Sequence, residues 1–503
     1  MTAAVRLALA LACLAAGCSP PAERSEAARS TVTISYEEAW LDPESDMPAK
    51  FLWLLPLTAL DEGGDLEPRL ARSWEHSPDW REWTYRLRTD VRWHDGMPVT
   101  AHDVEHSVRL WHHPDVLHYY TAFVESATAL DDSTVRIRYT PAADLSIASY
   151  LAFWPKHVVE KLDPKRFYAW DFWTHPVGNG PYRFVRYLPG TAIEFERNPD
   201  YVLERPRIER VILRFTGAEG LTALLGGEVD AVSWTDPGEI SKLAADPRFR
   251  VYFAPESYRG YAILWNASRP LFADPRVRRA LTLAIDRRGL LRALNLPDWI
   301  PVVDAPFTDR QLRRGELPAS LPYDPAEASR FLDAAGWRDL DGDGIREKDG
   351  RPFRFTALIF GDERRGVFIQ AELRRVGVRV DLQPLDRSSA FERIRAGDFE
   401  AAVSTYDNNP GSLASIALGK GPPLGYRNQR VAELVALAAA TSVPDERDGI
   451  YRELAAILRE DLPITFLFPR VDVVIAQRRL RGLREPWRVD PAWHMEDLWI
   501  EED

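Results

Sequence analysis

The sequence predicts a mixed α/β protein organised as two lobes. Strand-type alternation and helix-type periodicity are interspersed in both halves, the pattern of sheets covered by helices. At 503 residues the chain is too long for one ordinary core and suggests about three domains. Its 45% hydrophobic and 28% charged residues are ordinary for a globular protein in water.

The first residues read as a targeting segment rather than as fold. Arg6 is a short basic region, and Leu7 to Ala16 is apolar but too short for the ~20 residues that span a bilayer. Leu14-Ala15-Ala16-Gly17-Cys18 resembles a bacterial lipobox, in which small residues precede a cysteine that becomes lipidated. Residues 1–17 are therefore expected to be a lipoprotein signal peptide, and 18–30, rich in Pro, Glu, Ser and Ala, a flexible tether. Of the two cysteines, Cys13 lies in the removed part. The remaining Cys18 offers neither an internal disulfide nor a cysteine metal site.

The elements follow in order. Thr31 to Tyr36 alternates as a strand, and Trp40 to Leu60 mixes loop and helix. From Leu66 to Val108, Trp74 leads to a turn at Ser77 and Asp79. A strand follows over Trp83 to Arg88, then a turn at Trp93-His94-Asp95-Gly96. Thr100-Ala101 caps a helix starting near Asp103. Leu130 to Ser133 is a turn before a strand at Thr134 to Tyr139. Gly178 to Phe184 opens a new region, with strands over Ala192 to Arg197 and Ile208 to Phe215. A helix near Leu221 to Leu225 precedes Val229 to Val232. This strand, helix, strand order predicts parallel pairing through a crossover. Tyr261 to Trp265 is a strand, and the stretch Pro270 to Leu281 is expected to enter one long helix running to about Leu291. Ala326 to Ala335 is a helix stopped by Gly336. Strands at Phe353 to Ile359, Val378 to Pro384 and Phe399 to Thr405 alternate with helices at Val367 to Val376 and Ala390 to Ala396. Helices at Val431 to Thr441 and Glu446 to Arg459 precede separate strands at Ile464 to Phe468 and Val471 to Ile475.

Charge and motifs narrow the function. A net charge of -12 argues against a nucleic-acid partner and mildly favours cationic or zwitterionic ligands. The 17 tryptophans suit either core or the wall of a roomy cleft. His102-Asp103-Val104-Glu105-His106 fits the H-x-x-E-H pattern, so a secreted zinc hydrolase using His102, Glu105 and His106 is one alternative. Val104 and Val108 facing the core would leave that pair on a helix surface, and no third ligand is identifiable. Asp339-Leu340-Asp341-Gly342-Asp343-Gly344 looks like the start of a calcium loop, but position 12 is Gly350 rather than an acid, which favours a structural turn. The chain has no P-loop, no G-x-S-x-G elbow and no complete dinucleotide fingerprint. No enzyme, cofactor or metal is therefore expected.

A series of short motifs occurs in register along the chain: the Leu66 to Val108 segment, Val177-Gly178-Asn179-Gly180-Pro181-Tyr182, Arg197-Asn198-Pro199-Asp200-Tyr201, Val277-Arg278-Arg279-Ala280-Leu281, Tyr323-Asp324-Pro325 with Ala335-Gly336-Trp337, and Asp461-Leu462-Pro463 before Ile464. Together they resemble family 5 extracellular solute-binding proteins, the oligopeptide- and dipeptide-binding proteins of ABC importers.

The resemblance implies a two-lobed periplasmic-binding-protein fold of the class II type, with an extra α/β domain inserted in the first lobe. Lobe I would be residues 31–65, 178–262 and 470–503, the extra domain 66–177, and lobe II 263–469. A ligand would lie in a cleft that closes on it, and the protein would deliver it to permease subunits of the importer. A peptide is the expected ligand. Alternatives keep the fold with a sugar, a nickel complex or a sensing role. The expected protein is a monomer on the periplasmic side of the cell envelope, held to the membrane by lipid on Cys18. By the same resemblance, Asp407 after the Phe399 strand would pair with a ligand ammonium, although its distance to Pro410 is one residue shorter than usual. Tyr406 would sit beside it, Ser233 and Trp234 would face the cleft, and Asn266 would lie at the hinge or cleft. Arg393 or Arg395 could hold a carboxylate, with surface charge the plainer reading.

Overall fold

Ten strands form one sheet, and its register shows why alternating segments from both halves of the chain were needed to build it. The computed structural model describes residues 30–36, 50–61, 65–116, 118–141, 143, 147–234, 240–306, 316–361, 363–407, 424–483 and 495–501. The expected signal peptide, nearly all of the tether including Cys18, and the start of the Trp40 segment lie outside them.

The principal strands are β1 (Thr31–Tyr36), β2 (Ala71–His76), β3 (Glu82–Leu87), β4 (Val124–Asp131), β5 (Thr134–Tyr139), β6 (Tyr182–Leu188), β7 (Ala192–Arg197), β8 (Arg210–Phe215), β9 (Ala231–Trp234), β10 (Phe249–Trp265), β11 (Arg354–Ile359), β12 (Arg379–Pro384), β13 (Ala401–Asp407) and β14 (Ile464–Gln477). The large sheet runs β12-β11-β13-β10-β14-β9-β1-β8-β7-β6, and β2-β3-β5-β4 form a separate sheet. The main helices are α1 (Ala101–Trp111), α2 (Pro275–Leu283), α3 (Arg287–Ala293), α4 (Pro325–Ala334), α5 (Arg364–Arg374), α6 (Arg387–Ala396), α7 (Gln429–Ala440) and α8 (Pro444–Asp461).

Four expectations are corrected. The long helix is broken into α2 and α3, because Asp286 caps a new start by accepting the Gly289 amide at 2.7 Å. The strand at Tyr261 reaches back to Phe249. The two late strands are one, continuous through Pro469. β8 and β9 are parallel as expected but not adjacent; β1 lies between them, parallel to both.

One apolar core unites Val32, Ile34, Phe195 and Leu213 of the large sheet with Trp83, Trp93, Trp111, Trp154 and Trp173 of the β2–β5 region. Among the described residues most tryptophans are thus buried, and those of this core fuse the small sheet to the first lobe. A second core, around Trp265, Phe272, Phe353, Phe355 and Phe468, belongs to the second lobe.

Gly178-Asn179-Gly180 is the clamp of that fusion. The amides of Asn179 and Gly180 both donate to the Trp53 carbonyl at 2.9 Å, and Asn179 Oδ1 accepts the Leu55 amide at 2.9 Å. A Cβ on Gly178 would lie 1.7 Å from the Trp53 carbonyl oxygen. Backbone cannot yield as a side chain can, so Gly178→Ala is expected to cost about 3 kcal/mol or more. A lowered urea midpoint checks this; an unchanged one refutes it.

Two histidines of this region titrate far below normal. His94 accepts the Gly178 amide on Nδ1 at 3.3 Å and reaches the Gly180 carbonyl through Nε2 at 3.2 Å; burial lowers its pKa to about 4. His118 stacks on Trp111 with ring centroids 4.8 Å apart; burial, aided by Lys50, lowers its pKa to about 3. Both are neutral when folded, and the unfolded chain binds the protons more readily. Their stabilisation is whole above an unfolded pKa near 6.5 and is lost as pH falls through 4 and then 3. Melting temperature should therefore drop between pH 7 and pH 4, and drop less in His118→Phe. Equal drops would refute the assignment.

Candidate binding junction

Strand direction locates the site. β1, β8 and β9 are mutually parallel on one side of the sheet, and β11, β12 and β13 on the other. β9 is antiparallel to β14, β14 to β10, and β10 to β13. The two parallel sets therefore run toward each other, and their carboxyl ends meet at the middle of β10 and β14. In open α/β sheets ligands bind outside the carboxyl ends of strands. Here two sets of such ends face one junction.

The two crossing strands are irregular at that junction. Pro255 pairs with Val471 and Gly260 with Pro469, so β10 carries three extra residues there. A second shift follows between Tyr261 and Ala262. Pro469 has no N–H for the ladder, and bulges bend a strand. The sheet thus changes lobe at an irregular stretch of its ladder.

The sequence-predicted residues distribute around this point. β9 ends at Trp234, opposite Val473, and Ser233 before it is exposed. β13 ends at Asp407, opposite Arg259. Val473 and Pro469 are four residues apart on β14, about 13 Å along the strand, and three strand spacings separate β9 from β13, about 14 Å across. The backbones of Trp234 and Asp407 thus end their strands on opposite sides of the junction. Their side chains and residues 408–410 lie outside the description.

Tyr406 is buried in the second lobe. Its ring stands edge-on to Phe466 at 4.9 Å and crosses Gly260, where a Cβ would meet it at 2.3 Å. Burial holds its hydroxyl pKa well above the usual phenol range. Asn266 is 1% exposed. Its Nδ2 donates to the carbonyls of Phe399 at 2.9 Å and Gly397 at 3.3 Å, and Oδ1 accepts the Ser268 amide at 3.2 Å. That amide braces the start of the second lobe. Arg393 is held by Asp398 and Gln383, each at 2.9 Å, and Arg395 is exposed, as surface charge would be.

The two metal-like motifs resolve differently. His102 Nε2 faces Asp132 at 3.4 Å, while His106 Nδ1 meets Arg109 Nη2 at 2.8 Å, so the pair serves separate partners. Asp339, Asp341, Asp343 and Glu347 bring carboxylate oxygens within 4.8 Å of one another. The three aspartates accept amides of their own turn: Gly342 and Gly344 on Asp339, Asp343 on Asp341, and Ile345 on Asp343. Glu347 was missed from sequence because it falls three residues short of the usual final ligand position when Asp341 is counted as third.

Sequence reasoning also missed Arg365. It sits in the first turn of α5, beyond the carboxyl end of β11, and stacks 4.1 Å over the Tyr261 ring. No sequence signal separates it from the neighbouring arginines.

Two lobes sharing one sheet, with opposed strand ends at the crossover, define a binding protein that holds its ligand between lobes. The profile of bacterial extracellular solute-binding proteins, family 5 middle, matches residues 65–417, and the chain belongs to that family. It is 24% identical over 473 residues to the oligopeptide-binding protein AppA of Bacillus subtilis, covering 88% of this chain and 85% of AppA. The fold is shared with CtaP of Listeria monocytogenes, an ABC transporter substrate-binding protein (TM-score 0.76, 22% identity, 94% of this chain and 99% of that one). It is also shared with NikZ of Campylobacter jejuni, solved with Ni(L-His) (TM-score 0.69, 24% identity, 94% and 99%). None of the described helices is long and apolar enough to cross a membrane.

Proposed function

We propose that this protein is the peptide-capturing component of an ABC importer, anchored to the envelope by lipid on Cys18, acting as a monomer and releasing its ligand unchanged to the permease. The observation that carries the reading is the opposed pair of strand ends, Trp234 from one lobe and Asp407 from the other, across a sheet irregular at that level. Strand ends and edges supply main-chain hydrogen bonds to an extended peptide. The peptide relatives in the same family support it.

Mass spectrometry of small molecules released from the purified protein tests the ligand class. Intact peptides are expected, and re-adding them at a hundredfold excess over Kd should stabilise the protein by about 2.7 kcal/mol. Recovery of a metal chelate or sugar instead, or cleavage of added peptides, would overturn the reading. Labelled fatty acid should be incorporated in cells by the native protein and not by Cys18→Ser.

A further inference from the structure

Arg447 joins the two lobes away from the sheet they share. It lies in the first turn of α8 and is 7% exposed. Its Nη2 faces three backbone carbonyls, those of Thr441 at 2.6 Å, Pro141 at 2.8 Å and Ala143 at 2.9 Å. Its Nε donates to the Thr441 carbonyl as well, at 2.8 Å. Thr441 closes α7, in the same helical hairpin. Pro141 and Ala143 lie 306 and 304 residues earlier in the chain, just after β5.

Each end of this contact is fixed in its own lobe. α7 and α8 pack together around Val431, Leu434, Leu454 and Leu458. α8 ends at Asp461, whose carboxylate accepts from Tyr426 and Asn428 and whose carbonyl Arg278 holds. On the other side, Tyr139 at the end of β5 belongs to the first-lobe core, and Ala143 packs against that core. The Thr140 amide donates to the Phe123 carbonyl at 2.8 Å, and the Ala143 amide to the Thr140 carbonyl at 3.1 Å. Neither end can follow the other when the lobes part, so separation at this level breaks the two crossing hydrogen bonds.

The chemistry suits a contact that is made and unmade. A guanidinium stays charged, and its hydrogen bonds are stronger than those between neutral groups. The Thr441 carbonyl belongs to Arg447's own hairpin and keeps the planar fork aimed in both arrangements, so making the crossing bonds freezes few further torsions. A contact present only when the lobes are together favours the closed arrangement. The measured Kd equals the intrinsic Kd divided by the fraction of protein that is competent to bind. A residue that raises this fraction tightens every ligand by one common factor.

We propose that Arg447 is an interlobe latch. By holding the Pro141 and Ala143 carbonyls it sustains a closed population in the ligand-free protein and raises affinity for all ligands alike, as a positioning residue rather than a ligand contact. The proposal needs a ligand held between the lobes but not that the ligand be a peptide.

Pulsed electron–electron double resonance on ligand-stripped protein tests it, with Cys18→Ser and nitroxides on Leu130→Cys and Leu437→Cys, two exposed positions on β4 and α7. Protein with Arg447 intact should show a short-distance population, and Arg447→Met should reduce it by about threefold or more. Arg447→Lys keeps the charge without the fork and should fall between. Arg430→Met, which breaks a pair with Glu453 inside the same hairpin, should leave the distances as they are. Mere support of the hairpin by Arg447 would lower the melting temperature of Arg447→Met and leave its distances unchanged. Calorimetry with tri- to pentapeptides of Ala and Leu, bearing free, acetylated or amidated ends, gives the second readout. Every peptide that binds should weaken in Arg447→Met by one common factor of about ten. Should Arg447→Met show no native melting transition, Arg447→Lys carries both comparisons. Absence of the short-distance population with Arg447 intact, unchanged distances in the variant, or a loss confined to one kind of peptide end overturns the latch. Binding of no peptide overturns peptide capture, and the distances alone then decide the latch.

Discussion

Asp304→Asn is expected to destabilise the second lobe by about 3–5 kcal/mol, the cost of stranding a buried charge. The charge is Arg287, whose side chain is 3% exposed, against 5% for Asp304. Arg287 Nη1 donates to Asp304 Oδ1 at 2.5 Å, to the Val303 carbonyl at 2.8 Å and to the Phe466 carbonyl at 3.0 Å. Nη2 donates to the Leu321 carbonyl at 2.7 Å, and the second oxygen of Asp304 accepts the Leu321 amide at 2.5 Å. One ion pair therefore ties the start of α3 to β14 and to two loop segments that no strand holds. Asparagine keeps the shape and removes the charge, so the loss measures the pair rather than a cavity. Removing both charges in Arg287→Met with Asp304→Leu should cost less than the two single changes together, because the buried Arg287 guanidinium is no longer stranded, while Arg459, 3.7 Å from Asp304 and a third exposed, can turn to water. Denaturant unfolding followed by fluorescence reads both. A cost under about 1 kcal/mol for Asp304→Asn would sink the argument.

Such networks explain what could be read from the chain and what could not. The alternating segments and most helix limits were legible because local periodicity and caps set them. Asp286 shows the limit of that: its capping role splits an apolar run that otherwise reads as one helix. The motifs that gave the family away are mainly internal clamps. Asn198 of the R-N-P-D-Y motif donates to the Gly180 carbonyl of G-N-G-P-Y at 3.0 Å, and Arg278 of V-R-R-A-L holds the carbonyls of Asp461 and Leu462 after α8. They hold this chain's backbone together, and they say little about the ligand.

The candidate site was less legible for the opposite reason. Arg365 is distinguished only by its burial over the Tyr261 ring with a single long hydrogen bond, to the Phe360 carbonyl, and that depends on packing between α5 and a strand distant in sequence. Asn266 was expected at the hinge or cleft from its place at a strand end, and only the packed structure shows its amide donating to two carbonyls of the segment before β13. The tryptophans divide in the same way: a count can suggest a cleft, whereas burial assigns Trp93, Trp111 and Trp265 to core.

Asp407→Ala is expected to weaken binding of a free-amine peptide by about 3–5 kcal/mol, two to four powers of ten in Kd. β13 brings its last residue, Asp407, to the junction opposite Arg259, on the strand next to the one that leads to Arg365. An ammonium drawn between closing lobes loses its water and needs a fixed negative charge, and removal of that charge leaves an uncompensated ion. The loss should sit in the dissociation rate, since a contact formed only in the closed state does not steer encounter. N-acetylation of the peptide removes the same charge from the other side, so native protein should lose a similar amount on the acetylated peptide. The acetylated peptide should then bind Asp407→Ala no worse than it binds native protein. Calorimetry over the four combinations measures the coupling directly. Unchanged affinity in Asp407→Ala, or losses that simply add, would remove Asp407 from the site and shift the search for the ammonium partner to the Trp234 side of the junction.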